Sequence, residues 1–448
     1  MQSIQLILFS VVLFLTATIN SVGQSTRTLS LDEAIELSLQ NSKQLKYNQA
    51  KIEEAHAVLK QSRVSMLPDV SASGSYLRMH NPNVNLKLEN PQTKGQVSSL
   101  SNIKINQVAY AMGTASLPIF GGFGLRYGIQ SSKYLLEAAK LDSTNDREGL
   151  IQNAISAYSN LYKARIQIDL LNQNLKEAQQ NVTNSVNLEK NGEIVRNDLL
   201  KVQLQQSNIE LSILEAQKDL RMSIVNMNLM LGLPEDTELL PDTNWLQYSE
   251  DPRTIADWEQ AAFDNRKDIK ALQLREKSAA VNIKSIRSAY YPGIALTGNY
   301  VTAYIPNFLT ITNGLGVGLG VKYNLSSLWK TESKVAQARA KQLQIHMNGT
   351  MLTDQVRIQI NDAYQDYIVS LRKVDVYAKT VTQATENYTI NQSKFSNKTA
   401  TTTDLLNAEL GQVQAKLNFV FAKADVVVAY KKLLQTAGLL NNQISISK

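Results

Sequence analysis

The chain has 448 residues, with 46 Lys and Arg against 39 Asp and Glu, which gives a formal charge of +7. This charge forms no dense basic stripe, so nucleic acid is not an expected partner. There is no cysteine and there are three histidines, which excludes disulfides, cysteine metal sites and cysteine nucleophiles and makes histidine catalysis improbable. We therefore expect a protein that is not an enzyme and that holds no cofactor and no metal.

Residues 1–23 resemble a secretion signal peptide. Positions 4–19 form an apolar core, and Ser21 and Gly23 provide small residues for cleavage before Gln24. The alternative is a membrane anchor, but the apolar run is short for a span of about 20 residues. No later run reaches that length, so a mature chain (24–448) that crosses a membrane must do so as a closed β-barrel.

The rest of the chain is an internal repeat, with copies at 29–232 and 253–438. An offset of 224 residues relates Asn41 to Asn265 and Pro68 to Pro292, and an offset of 206 relates Asp198-Leu-Leu to Asp404-Leu-Leu. The change of offset places an insertion in the first copy, where the Pro, Gly and Asn residues of 81–106 indicate a loop. We expect one elongated protomer made of two similar halves.

Each copy begins with a helix that ends near a proline and continues into two strands. The strands alternate apolar with small or polar residues, and they are long enough to cross a bilayer when tilted. The alternative is a half-buried sheet of a soluble protein. The strands are predicted at about 69–79, 107–119, 293–304 and 314–324.

Long helices follow the strands, at about 123–232 and 328–438. They fall in two stretches without proline, 119–233 and 307–448, and each begins with about 65 uninterrupted helical residues, or about 100 Å. Apolar side chains recur at 3–4 spacing, which indicates helix-on-helix packing in long antiparallel hairpins.

Four strands are too few to close a barrel, because about eight are needed, and open sheet edges cannot face lipid. The sequence therefore predicts a ring of several chains.

In this order the elements resemble the TolC-like outer-membrane efflux and secretion channels. The resemblance covers about 29–440. It is carried by the duplicated pattern and by five short segments, namely Leu31-Asp-Glu-Ala-Ile35, Leu67-Pro68, Leu117-Pro-Ile-Phe-Gly-Gly122, Leu231-Gly-Leu-Pro234 and Tyr291-Pro292.

The resemblance implies a mainly α fold with a small β part, in which long antiparallel helical hairpins form an α-barrel. Each chain of a homotrimer would add four strands to a 12-stranded transmembrane β-barrel in outer-membrane lipid, and the helices would extend into the periplasm of a Gram-negative cell. The implied function is the passive outer-membrane channel of a tripartite pump, with a periplasmic adaptor (membrane fusion protein) and an inner-membrane transporter, exporting drugs, toxic compounds or metal ions.

Two alternatives remain open at this point. A type I protein-secretion conduit has the same implied architecture, and nothing in one chain separates it from an efflux conduit. A soluble coiled-coil scaffold or adhesin stalk would explain the helices but not the duplicated strand pairs.

The resemblance also implies that the helix breaks form a periplasmic aperture, with Asp198 and Asp404 as its carboxylates. Three copies of each acid around one axis would attract cations and disfavour anions. Asn407 stands where the family often has a second acid, Ala400 replaces a basic residue, and Arg196 is a substitute partner for a closing ion pair. The alternative for both acids is helix N-capping, which Asp favours.

The same breaks are expected to dock the adaptor. The first break supplies Asn191, Gly192 and Glu193, and the second supplies Asn397, Lys398 and Thr399. The family glycine is present only in the first break, because Lys398 takes its place in the second.

Overall fold

The computed structural model describes residues 27–80, 86–89, 97–100, 105–248, 250–306 and 308–440. The predicted signal peptide, 1–23, lies outside the described residues. The chain divides into two compact units, and each unit draws on both repeats. Unit 1 comprises 1–46, 144–266 and 355–448, and unit 2 comprises 47–143 and 267–354.

Helices dominate the described chain, and strands form a smaller part, so the predicted mainly α fold with a small β part is confirmed. None of these helices combines the length and the hydropathy that a membrane span requires. Two short 3-10 turns lie at Asn244–Leu246 and Ser288–Tyr290. The helices are α1 Leu31–Asn41, α2 Lys43–Val64, α3 Gly124–Lys190, α4 Arg196–Leu231, α5 Ile255–Asn265, α6 Lys267–Arg287, α7 Ser327–Ser396 and α8 Thr402–Thr436. The strands are β1 Arg27–Leu29, β2 Asp69–Arg78, β3 Leu86–Glu89, β4 Val97–Leu100, β5 Gln107–Phe120, β6 Leu239–Pro241, β7 Gly293–Ile305 and β8 Leu309–Lys322.

Unit 2 contains an antiparallel sheet with the strand order β2-β5-β7-β8. Asp69 pairs with Ser116, and Gly293 pairs with Lys322. This register gathers the helix-proximal ends of the four strands at one end of the sheet. Alternate side chains of β8 from Leu315 to Val321 are apolar and exposed in the single chain.

The hairpin of β7 and β8 is longer than the sequence pattern predicts. β8 begins at Leu309 rather than at 314, because a bulge interrupts the alternation on which the prediction depended. Val301 pairs with Gly314 and Ala303 with Ile311, so two residues of β8 oppose one of β7. Asn313 takes a positive φ of 59° at this bulge.

The segment predicted as a loop at 81–106 contains a second, smaller sheet. β3 and β4 pair antiparallel there, with Leu86 opposite Leu100. The flanking positions 81–85, 90–96 and 101–104 lie outside the described residues.

Unit 1 is organised around Tyr158 on α3, which is fully buried. Its hydroxyl donates a hydrogen bond to the Leu29 carbonyl at 2.7 Å and accepts one from the Asp242 backbone N–H at 2.9 Å. The Trp245 ring stacks edge-on against both Tyr158 and Tyr162. One tyrosine therefore fastens the parallel pair β1–β6 to the helical core, and its burial raises its pKa.

The first repeat ends in a left-handed glycine. Gly232 has a φ of 72° and caps α4 through its N–H bond to the Asn228 carbonyl. Asn41 packs against this glycine and donates from its side-chain amide to the Leu231 carbonyl at 2.7 Å. The second repeat ends in the same way at Gly438, with a φ of 71°.

Candidate functional site

The two helix breaks of the duplicated chain lie side by side in unit 1. The first separates α3 from α4, and the second separates α7 from α8. The Lys398 Nζ lies 3.0 Å from the Glu193 Oε2, which joins the two breaks directly. A second contact runs from the Lys201 Nζ to the Thr403 Oγ1 at 3.4 Å.

Both breaks use the same turn. Gly192 and Lys398 occupy equivalent positions, with φ values of 73° and 60°. A left-handed conformation costs a residue with a Cβ about 1–2 kcal/mol, so the lysine is held in a strained position that the glycine adopts freely. In each turn two backbone N–H groups close onto helix carbonyls, from Gly192 to Glu189, Glu193 to Leu188, Lys398 to Phe395 and Thr399 to Lys394.

Asp404 lies at the third position of α8 and not at its N-cap. Thr401 is the N-cap, and its hydroxyl oxygen accepts the Asp404 N–H at 3.1 Å. The Asp404 Oδ2 accepts the Thr401 N–H at 3.0 Å and its hydroxyl at 2.6 Å. These bonds hold the pKa of the exposed Asp404 carboxyl below its usual value. The alternative interpretation, in which this Asp is itself the N-cap, is wrong, because a capping box assigns that position to Thr401 and the third helical position to Asp404.

Asp198 lies at the same position of α4, but its surroundings differ. The N-cap is Val195, which has no side-chain acceptor, so no capping box forms. The Asp198 carboxylate instead binds the Lys201 Nζ at 3.0 Å. The N-cap interpretation is therefore wrong for Asp198 as well, and its charge is partly neutralised within the chain.

The remaining predicted aperture residues are exposed. The Arg196 guanidinium approaches the Glu189 carboxylate at 3.9 Å, which links the two helices that flank the first break. Asn407 lies one helical turn after Asp404 and therefore shares its face of α8. The predicted docking residues Asn191, Gly192, Glu193, Asn397, Lys398 and Thr399 are all exposed.

A cleft of about 690 Å³ opens between the two breaks. Its lining includes the charged residues Glu193, Asp198 and Lys398 and apolar residues such as Phe395 and Leu405. The four helix ends therefore surround a partly open cleft whose lining is partly charged and partly apolar.

Sequence reasoning missed one acid close to this site. Glu409 on α8 is 1% exposed. Its Oε2 accepts a bond from the Asn181 amide at 3.3 Å, and its Oε1 has no partner among the described residues. Burial and the nearby Glu177 raise the pKa of Glu409 to about 7, and burial, Glu409 and Glu177 raise the pKa of Tyr388 to about 12. The sequence carries one signal that Glu409 is buried, because position 409 falls at helical spacing with the other buried side chains of α8.

Comparison with known proteins assigns the family. The family described as "Outer membrane efflux protein" matches residues 34–233 and 258–439, which is most of the chain. The chain belongs to the outer membrane efflux protein family. The match is in two blocks, and the predicted resemblance to the TolC-like channels is confirmed.

The similar proteins are distant in sequence, and two of the solved structures are close in fold. The "Outer membrane efflux protein BepC" of Brucella suis biovar 1 (strain 1330) is 22% identical over 352 residues, covering 78% of this chain and 74% of BepC. One similar solved structure is that of CusC, whose description refers to folding and transmembrane channel formation. It has a TM-score of 0.77 at 16% identity, and the match covers 91% of this chain and 92% of CusC. The open-state outer membrane channel MtrE of Neisseria gonorrhoeae has a TM-score of 0.72 at 16% identity and covers 92% and 89%.

Proposed function

We propose that this protein is the outer membrane channel of a tripartite efflux pump, and that it exports small molecules as a passive trimeric conduit without catalysing a reaction. An inner-membrane transporter would drive export through a periplasmic adaptor. The observation that carries the proposal is the four-stranded sheet of unit 2, because its outer strands β2 and β8 each leave one edge unpaired within the described chain. Family membership and the fold shared with CusC and MtrE support the same conclusion.

The unpaired edges support a closed assembly of several copies. A sheet edge in lipid would leave backbone groups without partners, and four strands are fewer than the eight or so that close a barrel. Three copies would supply twelve strands. α4 also presents an apolar stripe that a single chain leaves exposed and that a second copy would cover, formed by Leu200, Leu204, Leu211, Leu214, Met222 and Leu229.

The oligomer is testable by purification from an outer-membrane detergent extract, followed by mass determination and planar-bilayer recording. We expect a trimer that conducts ions. A water-soluble monomer without conductance would support the scaffold or adhesin interpretation instead, and would contradict the channel.

The cargo distinguishes efflux from type I protein secretion. Deletion of the gene is expected to increase intracellular accumulation of small toxic compounds, and complementation is expected to restore their export. Loss of a secreted protein from the medium, with small-molecule export unchanged, would identify the protein-secretion conduit.

We assign the aperture chiefly to Asp404, because this acid is exposed and, among the residues that the structure describes, its carboxylate bonds only to its own capping threonine. Asp198 would contribute less, since Lys201 pairs with it. Asn407 would line the same face as Asp404 without adding charge, and Arg196 would remain paired with Glu189. Three copies of Asp404 around one axis would favour cations.

The Asp404→Ala variant tests this assignment in planar bilayers. We expect weaker cation selectivity and weaker block by divalent cations. Because this substitution also removes half of the capping box, Thr401→Ala is the matched control, which disrupts the cap and keeps the carboxylate. Equal selectivity of Asp404→Ala and the wild-type channel would rule out the aperture role.

The exposed turns at both breaks are the proposed adaptor contact. A photo-crosslinking residue at Asn191 or Asn397, expressed together with the adaptor encoded beside the gene, is expected to trap that adaptor in vivo. The same probe at the exposed Asn387 on α7 serves as the control. Failure to trap the adaptor from both breaks would contradict docking there.

A further inference from the structure

The helix–strand junctions of unit 2 concentrate positive charge. From each of the four helix-proximal strand ends to twelve residues into the helix side, at 57–69, 120–132, 281–293 and 322–334, the chain has eight Lys or Arg and only two acids, Asp69 and Glu332. This is a surplus of six positive charges in four short segments. The eight cations, which we name the junction belt, are Lys60, Arg63, Arg126, Lys284, Arg287, Lys322, Lys330 and Lys334.

The junction belt is free to bind an external partner. All eight side chains are exposed, and none forms an ion pair with another residue of the described chain. Arg126 has only a ring contact, with its guanidinium 5.5 Å from the centre of the Phe123 ring. Unpaired surface charges of one sign attract counter-charges from their surroundings.

The register of the sheet places the four junctions that carry the junction belt at one end of the sheet. Because Asp69 pairs with Ser116 and Gly293 with Lys322, all four junctions lie at the same end of the sheet. Large apolar side chains are exposed in the same segments, including Leu67, Phe123, Tyr291 and Trp329. Aromatic rings beside Lys and Arg are the usual anchors at a membrane–water interface.

We propose that the junction belt binds the phosphate groups of anionic phospholipids in the leaflet that faces the helices. The proposal rests on the outer-membrane location proposed above. Cations alone would fit any anion, but the exposed aromatic and leucine side chains beside them fit a ligand that carries both a phosphate and an acyl chain. A juxtamembrane Lys or Arg is attracted to an anionic lipid surface in this way.

The tryptophans of this chain provide a local probe. There are three, and Trp245 and Trp258 are buried in unit 1, whereas Trp329 is 63% exposed beside Lys330. A quencher dissolved in the bilayer therefore reports on the junction. The protein is reconstituted in phosphatidylcholine bilayers that contain either brominated phosphatidylglycerol or brominated phosphatidylcholine at equal mole fractions, and fluorescence is measured at low and high salt.

We expect brominated phosphatidylglycerol to bind near Trp329 about fivefold more strongly than brominated phosphatidylcholine, the factor expected from one effective cation at an anionic surface. High salt should remove the preference. The variant Lys284→Gln/Arg287→Gln/Lys330→Gln/Lys334→Gln should lose it. A matched variant that removes one Arg and three Lys from exposed positions of unit 1, namely Lys176, Arg372, Lys373 and Lys379, should keep it.

The outcomes separate the two proposals. If the channel conducts ions and both brominated lipids quench its Trp329 fluorescence equally, the proposed lipid binding by the junction belt is overturned and the proposed channel function is not. A preference that survives in the four-fold junction variant would also overturn it. Absence of quenching by either lipid, together with absence of conductance, would overturn the membrane location itself and the inference with it.

Discussion

Replacing Glu409 by Gln tests whether a buried acid makes the stability of unit 1 depend on pH. The carboxyl lies between α8 and α3, with one bond from Asn181 and one oxygen without a partner in the described chain. The titratable groups that face it are Glu177 on α3 and Tyr388 on α7. Burial and the Glu177 carboxylate oppose the ionisation of Glu409, whereas Tyr388 is a phenol whose own pKa is raised by burial and by Glu409 and Glu177.

The magnitude follows from the pKa. The pKa of Glu409 rises from 4.5 to about 7, and each unit corresponds to about 1.4 kcal/mol, so ionisation of the folded chain costs about 3 kcal/mol. The folded state holds the proton more tightly than the unfolded state does. The protonated Glu409 carboxyl therefore makes its full contribution to the free energy of unfolding below pH 4.5. This contribution is lost as the pH rises towards 7. Glutamine keeps the shape of the protonated acid and cannot ionise.

Urea unfolding followed by helical circular dichroism at several pH values measures this effect. We expect Glu409→Gln to match the wild-type protein near pH 4.5 and to exceed its unfolding free energy by about 3 kcal/mol near pH 8.5. Glu386→Gln, at an exposed position of α7, is the control and should follow the wild-type curve. Parallel curves for Glu409→Gln and wild type would refute the reasoning.

Three further substitutions test the packing and the backbone of unit 1, all by urea unfolding. Tyr158→Phe removes the hydroxyl that bonds the Leu29 carbonyl at 2.7 Å, and should cost about 1–2 kcal/mol; an unchanged midpoint would contradict the role of this bond. Gly232→Ala should cost at least about 1–2 kcal/mol, because the φ of 72° disfavours a Cβ that would also lie 2.9 Å from Asn41. Gly149→Ala, inside α3 with open space around it, should instead stabilise by about 0.5–1 kcal/mol.

The order of helices and strands along the chain is predictable from the sequence, because each element depends on local signals. Stretches without proline and with apolar residues at 3–4 spacing predict α3 and α7, and period-2 alternation predicts the strands of unit 2. The β8 boundary is less accessible. The bulge at Asn313 shifts the alternation by one residue, and the run Thr310–Asn313 then reads as a loop.

The site depends on contacts that no local pattern encodes. The pairing of Lys398 with Glu193 joins residues 205 positions apart, and the burial of Glu409 depends on which helices cover α8. The capping box at the start of α8, by contrast, is encoded by a local pattern, since Thr401 followed by Asp404 has the spacing and the residue types that this motif requires. Both residues of that motif are present in the sequence, three positions apart.

The difference between Gly192 and Lys398 limits the symmetry of the proposed assembly. Two nearly equivalent breaks in each of three chains would place six similar tips around one axis, an arrangement close to sixfold. A strained, cationic turn at every second tip reduces that arrangement to threefold. An adaptor that contacts the tips would therefore meet two kinds of surface in alternation, and its subunits would occupy two chemically distinct positions on the channel.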